Sequence, residues 1–117
     1  MAIKTKRVYE RQEPSDGTRI LVDRLWARGL SKEKAHIDEW LKEIAPSDRL
    51  RKWFAHKPER WSAFGLRYRE ELQTPIKQAF LRRLRSMGQK GTVTLLYAAK
   101  DEAYNNAHAL SKILKGR

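Results

Sequence analysis

Apolar and polar positions change their period several times along the chain, and each change marks an element. Ile3 to Tyr9 mixes β-branched and aromatic residues with basic ones, which predicts a strand exposed on one side or lying at a sheet edge. Pro14-Ser15-Asp16-Gly17 reads as a turn, because proline presets φ and glycine supplies the positive φ that tight turns demand. Arg19 to Leu25 predicts a second strand. The gap between the two, residues 10–18, is shorter than a helical crossover needs, so the strands are expected to be antiparallel or joined by a bare loop.

Ser31 is placed to cap a helical turn over Ser31 to Lys34, with Glu33 in its first turn. Ile37, Trp40, Leu41 and Ile44 then have helical spacing, yet Trp40, Lys42 and Ile44 alternate like a strand ending at Pro46; the strand is slightly favoured. Pro46-Ser47-Asp48 starts a helix capped by Ser47, with Leu50, Trp53 and Phe54 as its stripe. Pro58 suits the first position of the next helix, whose Trp61, Phe64, Tyr68 and Leu72 share a face. Thr74-Pro75 repeats the start signal, with Ile76, Phe80, Leu84 and Met87 as the buried face and Gly88 as the stop. Thr92 to Ala99 is nearly all apolar or β-branched, the pattern of a central strand covered by helices on both faces. Tyr104 to Lys115 closes the chain as a helix with Ala107, Leu110, Ile113 and Leu114 inward, and Lys112 and Lys115 near its C-terminal dipole.

This order predicts one α/β layered domain over residues 1–117, with a small, mostly parallel sheet of about four strands covered by helices. Composition agrees: 117 residues with 40% hydrophobic content suffice for one core. No stretch approaches the roughly 18 apolar residues of a membrane span, and the start lacks the apolar centre of a secretory signal, so the expected location is the cytoplasm, away from membranes. The absence of cysteine excludes disulfides, thiolate nucleophiles and cysteine-ligated zinc. His36, His56 and His108 have no metal-motif spacing, and no metal or cofactor is implied. With 26 Lys and Arg against 14 Asp and Glu, the net charge is +12. Such a field draws nucleic acid, phosphorylated metabolites or acidic proteins, although a solvated charged face is the plainer reading.

Ligands of open parallel sheets collect beyond the carboxyl ends of the strands. Two segments meet this rule. In Asp23-Arg24-Leu25-Trp26-Ala27-Arg28-Gly29 an apolar strand runs into two arginines and an indole, with Gly29 allowing close backbone approach; arginine forks suit phosphate or carboxylate. In the second, Tyr97 precedes Lys100-Asp101-Glu102-Ala103-Tyr104-Asn105-Asn106, where a lysine faces a helix N-terminus able to seat an anion. Structural alternatives stand beside both. Asp23 and Arg24 are able to pair internally, Trp26 to cap the core, Asp101 to be an N-cap, and Asn105 or Asn106 to serve a loop carbonyl. Trp53, Phe54, Trp61, Phe64 and Tyr68 recur at helical spacing, which favours core over base stacking. The phosphate-loop, dinucleotide, serine-hydrolase and zinc-protease motifs are all absent.

Leu21-Val22-Asp23-Arg24-Leu25-Trp26-Ala27-Arg28-Gly29-Leu30-Ser31, Trp40-Leu41-Lys42-Glu43-Ile44-Ala45-Pro46-Ser47 and Thr94-Leu95-Leu96-Tyr97-Ala98-Ala99-Lys100-Asp101 carry a resemblance. The chain resembles, nearly end to end, the YeaO-like bacterial proteins within the domain of unknown function 488, which usually have proline where this chain has Ala27. The resemblance supports a strand over Glu39 to Ala45. Wider members look like enzymes with a cysteine-histidine-arginine cluster opening the last helix, where this chain reads Asn105-Asn106-Ala107, so a thiol mechanism does not transfer. It implies a pocket between Asp23, Arg24 and Arg28 on one side and Tyr97, Lys100, Asp101, Asn105 and Asn106 on the other.

The expected function is binding of an anionic, phosphate-bearing ligand in that crevice. Arg24, Arg28 and Lys100 would meet the charge, Trp26 and Tyr97 line the space, and Asn105 and Asn106 orient the ligand. Were catalysis to follow, Asp23 or Asp101 is the candidate acid or base. The alternative is a nucleic-acid-binding module using Arg60, Arg67, Arg82 and Arg85 on phosphate backbone. Oligomeric state is open.

Overall fold

The computed structural model describes residues 2–116. Strands β1 (Ala2–Arg7), β2 (Thr18–Leu21), β3 (Glu39–Trp40) and β4 (Thr92–Tyr97) form one all-parallel sheet in the order β1-β4-β2-β3. β4 takes a central place because both of its faces are apolar, and Leu95 lies between Thr5 and Ile20 in register. The first two strands are therefore not antiparallel neighbours. β4 inserts between them, and residues 8–17 must cross two strand spacings, roughly 10 Å, and run back from the level of Tyr97 to that of Val93, roughly 13 Å, which a ten-residue loop with one tight turn at Pro14–Asp16 manages without a helix. Gly17 ends that turn at φ 64°, and a Cβ there would meet the Thr92 carbonyl oxygen at 2.2 Å, so glycine is required.

The helices are α1 (Lys32–Ala35), α2 (Asp48–Phe54), α3 (Trp61–Glu71), α4 (Pro75–Lys90) and α5 (Asn106–Lys115). Those from α2 onward supply the larger core. Leu50, Phe54, Phe64, Tyr68, Leu81, Leu84 and Leu110 join Ile3, Ile20, Val22, Val93 and Leu95 on one side of the sheet. The other side is covered differently from expectation. Val8, Leu21 and Leu96 are roofed by residues 26–40, chiefly Trp26, Ala27, Leu30, Ile37 and Trp40. Two indoles in edge contact at 5.3 Å supply enough apolar area that the four-residue α1 suffices there.

Strand ends and one helix phase also depart from the pattern. β2 stops at Leu21 rather than Leu25. Val22 still donates to Leu96, but the next acceptor for β4 is the Asp23 carboxylate, which takes the Ala98 N–H at 2.8 Å in place of a backbone carbonyl. Glu39 to Ala45 divides: Glu39–Trp40 pairs with Ile20 and Leu21, and Lys42–Ile44 then forms a 3-10 turn, so each reading of that segment applies to half of it. Tyr68 fixes the turn by donating its buried hydroxyl to the Ile44 carbonyl at 2.5 Å. In α4 Leu84 is buried and Phe80 and Met87 pack against the core as expected, but the fully buried side runs through Leu81, Leu84 and Gly88, and Ile76 is 72% exposed. Gly88 is a buried helical residue, not the stop, and the helix ends at Lys90. The sheet, absent from a helical wheel, sets that phase. Arg19, 1% exposed, ties β2 to the end of α1 through the Ala35 and His36 carbonyls and pairs with buried Asp16 at 2.6 Å.

Candidate functional site

The strand ends are braced mainly through main-chain carbonyls. Arg7 leaves β1 and donates to the Ala99 and Ala98 carbonyls at 2.9 and 3.1 Å, holding the end of β4. Beyond β2, Asn106 donates to the Val22 carbonyl, Trp40 to that of Asp23, Tyr9 to that of Arg28 and Trp26 to that of Leu30, all between 2.6 and 2.8 Å. Residues 22–30 are thereby fixed while several of their side chains remain available. Gly29 takes φ 77° with open space around it, so glycine serves the left-handed turn and not a close backbone approach.

A cavity of about 360 Å³ opens over these strand ends. Asp23, Arg24, Trp26, Arg28, Asn105 and Asn106, all expected from the sequence, line it together. Its remaining wall is largely flat and apolar, with Phe54 of α2, Phe64 of α3, Tyr9 and Tyr104. Arg51 and His56 add positive or titratable groups at the α2 side. His56 follows Ala55, both in the left-handed region at φ 55° and 48°, where α2 turns toward α3.

Asp23 and Arg24 do not pair. Arg24 donates to the Pro46 and Ala45 carbonyls at 3.2 and 3.5 Å, holding the loop before α2. Asp23 accepts the Ala98 N–H and a hydrogen bond from the Asn106 amide, and burial nevertheless pushes its carboxyl above the usual aspartate range, against those two donors and the more distant charge of Arg51. Arg28 is exposed, and its guanidinium has no hydrogen-bond or ion-pair partner among the described residues.

Three expected residues lie elsewhere. Tyr97 is buried in the core and its edge lines a second cavity, of about 400 Å³, with Lys4, Lys6, Glu13 and Asp16. Lys100 points to solvent outside both cavities. Asp101 accepts the Ala103 and Tyr104 N–H groups, each at 2.9 Å, and these bonds hold its carboxyl below the ordinary range, which makes it a turn residue and a poor base. The N-cap of α5 is Asn105, which takes the His108 N–H at 2.8 Å and donates to the Asp101 carbonyl. A side chain therefore occupies the helix end where an anion was expected to sit.

The pattern assigns Phe54 and Phe64 to the core and finds no motif spacing at His56, and it does not bring these residues or Arg51 to the site. Their spacing reads as helix surface or core, and only the bracketing of a short helix by Pro46 and Pro58 hints that α2 folds back over the strand ends. Among the described residues no three His, Asp or Glu side chains gather as a metal site, and no helix is long and apolar enough to cross a membrane.

Comparison with known proteins places the chain. A family model described as the inactive DUF488-N3 subclade matches residues 2–117. The uncharacterised YeaO protein of Escherichia coli is 44% identical over 115 residues, covering 98% of each chain. An uncharacterised protein of Mycobacterium tuberculosis is 40% identical over 115 residues, 98% of this chain and 95% of its own. No solved structure matches with significance. The chain belongs to the YeaO-like proteins of the domain of unknown function 488, in the branch described as the inactive DUF488-N3 subclade.

Proposed function

We propose that the cavity over the strand ends binds a small anionic ligand without turning it over. The observation that carries this reading is the convergence of Arg24, Arg28 and Arg51, the last also paired with Asp48, on one apolar-walled cavity whose lining holds a single carboxylate, Asp23. Arginine forks match the geometry of phosphate and carboxylate, and they gain strength where water is partly excluded. Arg28 is the main anion ligand because its guanidinium has no internal partner; Arg24 keeps part of its fork free beyond the Ala45 and Pro46 carbonyls. Binding without turnover fits the description of the matched family as inactive and the Asn105-Asn106-Ala107 opening of α5, which offers no nucleophile.

The nucleic-acid alternative has less support. Arg60 and Arg67 both lie over the Trp53 ring, 5.0 and 4.0 Å from its centre, and Arg85 binds the Leu114 and Ile113 carbonyls. Of the four arginines in that reading, Arg82 alone has no internal contact among the described residues to give up for a phosphate backbone.

An amide-shift titration with pyrophosphate, a sugar phosphate and a short oligonucleotide tests the reading. Saturable shifts at residues 24–28 and 105–106 with the small anions are expected, and Arg28→Ala should weaken binding about tenfold or more, the loss of one charge-assisted contact. Binding unaffected by Arg28→Ala and Arg24→Ala together would overturn it. Shifts spread over α3 and α4, with a log-log salt slope of several units at about −0.9 per phosphate, would establish the alternative instead.

A further inference from the structure

Asp16 and Asp23 both leave bulk water on folding, but only Asp16 receives cations. Lys6 stands 3.1 Å and Arg19 2.6 Å from Asp16. Asp23 has no ion-pair partner among the described residues. Two of the guanidiniums that share its cavity are directed elsewhere, Arg24 to two carbonyls and Arg51 to Asp48 at 2.8 Å. A carboxylate has about four acceptor sites. The Ala98 N–H and the Asn106 amide take two, and the remainder belong to a side chain that lines the cavity.

A desolvated carboxylate left without a cation is costly unless hydrogen bonds replace its water. Asp23 is half-buried, and its remaining acceptor sites open to the cavity, where one or two donors from a ligand can take the place of water. An ammonium group is the less suitable donor, since it would enter a space already facing Arg24, Arg28 and Arg51. Neutral N–H groups meet the need without adding positive charge. Phe54 and Phe64 are buried beneath the cavity, whereas Tyr9, Trp26 and Tyr104, which line it with Asp23, keep ring surface exposed, and flat aromatic surface suits a planar ring.

We infer that Asp23 is the specificity-determining acceptor of this cavity, and that the ligand is a planar heterocycle with two adjacent N–H donors on one edge and an anionic group, the chemistry of a guanine mononucleotide. This rests on the anion-binding reading: the arginines take the phosphate, and Asp23 reads the ring edge. A site built around a hydrogen-bonding group discriminates strongly against ligands that lack the matching donor, because the group is then left unpaired in a desolvated place.

Isothermal titration calorimetry with guanosine, inosine and adenosine monophosphates, and with pyrophosphate, tests it. Inosine monophosphate lacks the exocyclic amine, and the adenine ring lacks the paired donors. Guanosine monophosphate should bind about tenfold or more tightly than inosine monophosphate, with adenosine monophosphate weaker again. Asp23→Asn should lower guanosine monophosphate to the level of inosine monophosphate, whereas pyrophosphate, relieved of a like charge, should bind no more weakly than to wild type. The ligand series on the wild-type protein stands alone if the variant folds poorly. Equal binding of the three mononucleotides, with pyrophosphate bound through Arg28, would overturn the role of Asp23 and leave the anion site standing. Absence of binding by all four would remove the anion site and this inference together.

Discussion

Asp23 combines two tasks, ending β2 and lining the cavity, and its environment makes the combination costly to the fold. Its carboxyl titrates above the ordinary aspartate value because burial disfavours the charge more than Ala98, Asn106 and Arg51 favour it. A folded state that holds this proton more tightly than the unfolded chain is stabilised below the unfolded value, 3.8, and loses that contribution as pH rises through the folded value. Ionised Asp23 thus destabilises the protein at neutral pH, whereas Asp16, held low by the Glu13 N–H, Lys6 and Arg19 despite burial, contributes stability above its unfolded value and loses it as pH falls. Asp23→Asn keeps an oxygen for the Ala98 N–H and removes the charge. Its melting temperature should exceed that of wild type at pH 7, and the difference should shrink toward pH 3. Calorimetric melts across that range check it, and a variant less stable than wild type at pH 7 would show that the ionised form is the better-accommodated one. Asp23, Arg24, Trp26 and Arg28 were legible as site residues because charged groups and an indole directly after an apolar strand mark a strand end. Arg51 and Phe64 were not, since they arrive from helices distant in sequence and only tertiary packing brings them over the strands.

At the scale of elements, what is decided by a few neighbouring residues was readable and what the sheet decides was not. Ser31, Ser47 and Thr74 each accept the N–H three residues on, as their hydroxyls before a helical pattern implied. The phase of α4 and the division of residues 39–45 depend on which face the sheet offers, and Ile76 is outside although it matches the apolar spacing. The start of α5 lies between these cases. Asp101 and Asn105 are both good caps, and local rules do not choose; the chain uses Asp101 for the preceding turn and Asn105 for the helix, linked through the Asp101 carbonyl. Asn105→Ala removes the cap and that link, and should cost about 1 kcal/mol, or roughly 4 °C in melting temperature. Asn105→Ser should recover part of the loss, because its hydroxyl still accepts the His108 N–H without burying a charge against the Asp101 carbonyl. Thermal melts followed by circular dichroism measure both, and an alanine variant that melts with wild type would assign the start of α5 to packing alone.

Across the whole molecule, the charge of +12 invites a search for a polyanion, yet many of its arginines are already engaged with the ends of the chain's own elements. Arg19 takes the Ala35 and His36 carbonyls after α1, Arg85 the Ile113 and Leu114 carbonyls of α5, Arg7 the Ala98 and Ala99 carbonyls after β4, and Arg60 the Trp53 carbonyl of α2. Main-chain carbonyls at element ends have no partner within the element, and a planar guanidinium reaches two of them at once where an ammonium makes a single-point contact. Basicity used in this way is a property of the scaffold, and it can be separated from attraction of a partner by exchanging arginine for lysine at constant charge. Arg7→Lys, Arg19→Lys and Arg85→Lys should each lose about 1.5–3 kcal/mol of stability in urea unfolding, whereas Arg82→Lys, on the exposed side of α4, should be neutral. If all four variants unfold with wild type, the forks contribute nothing that charge alone does not, and the excess is left to an external partner. If only the three bracing positions respond, Arg28 remains as a cation at the strand ends that the fold itself does not use, which is where an anionic ligand finds its counterpart.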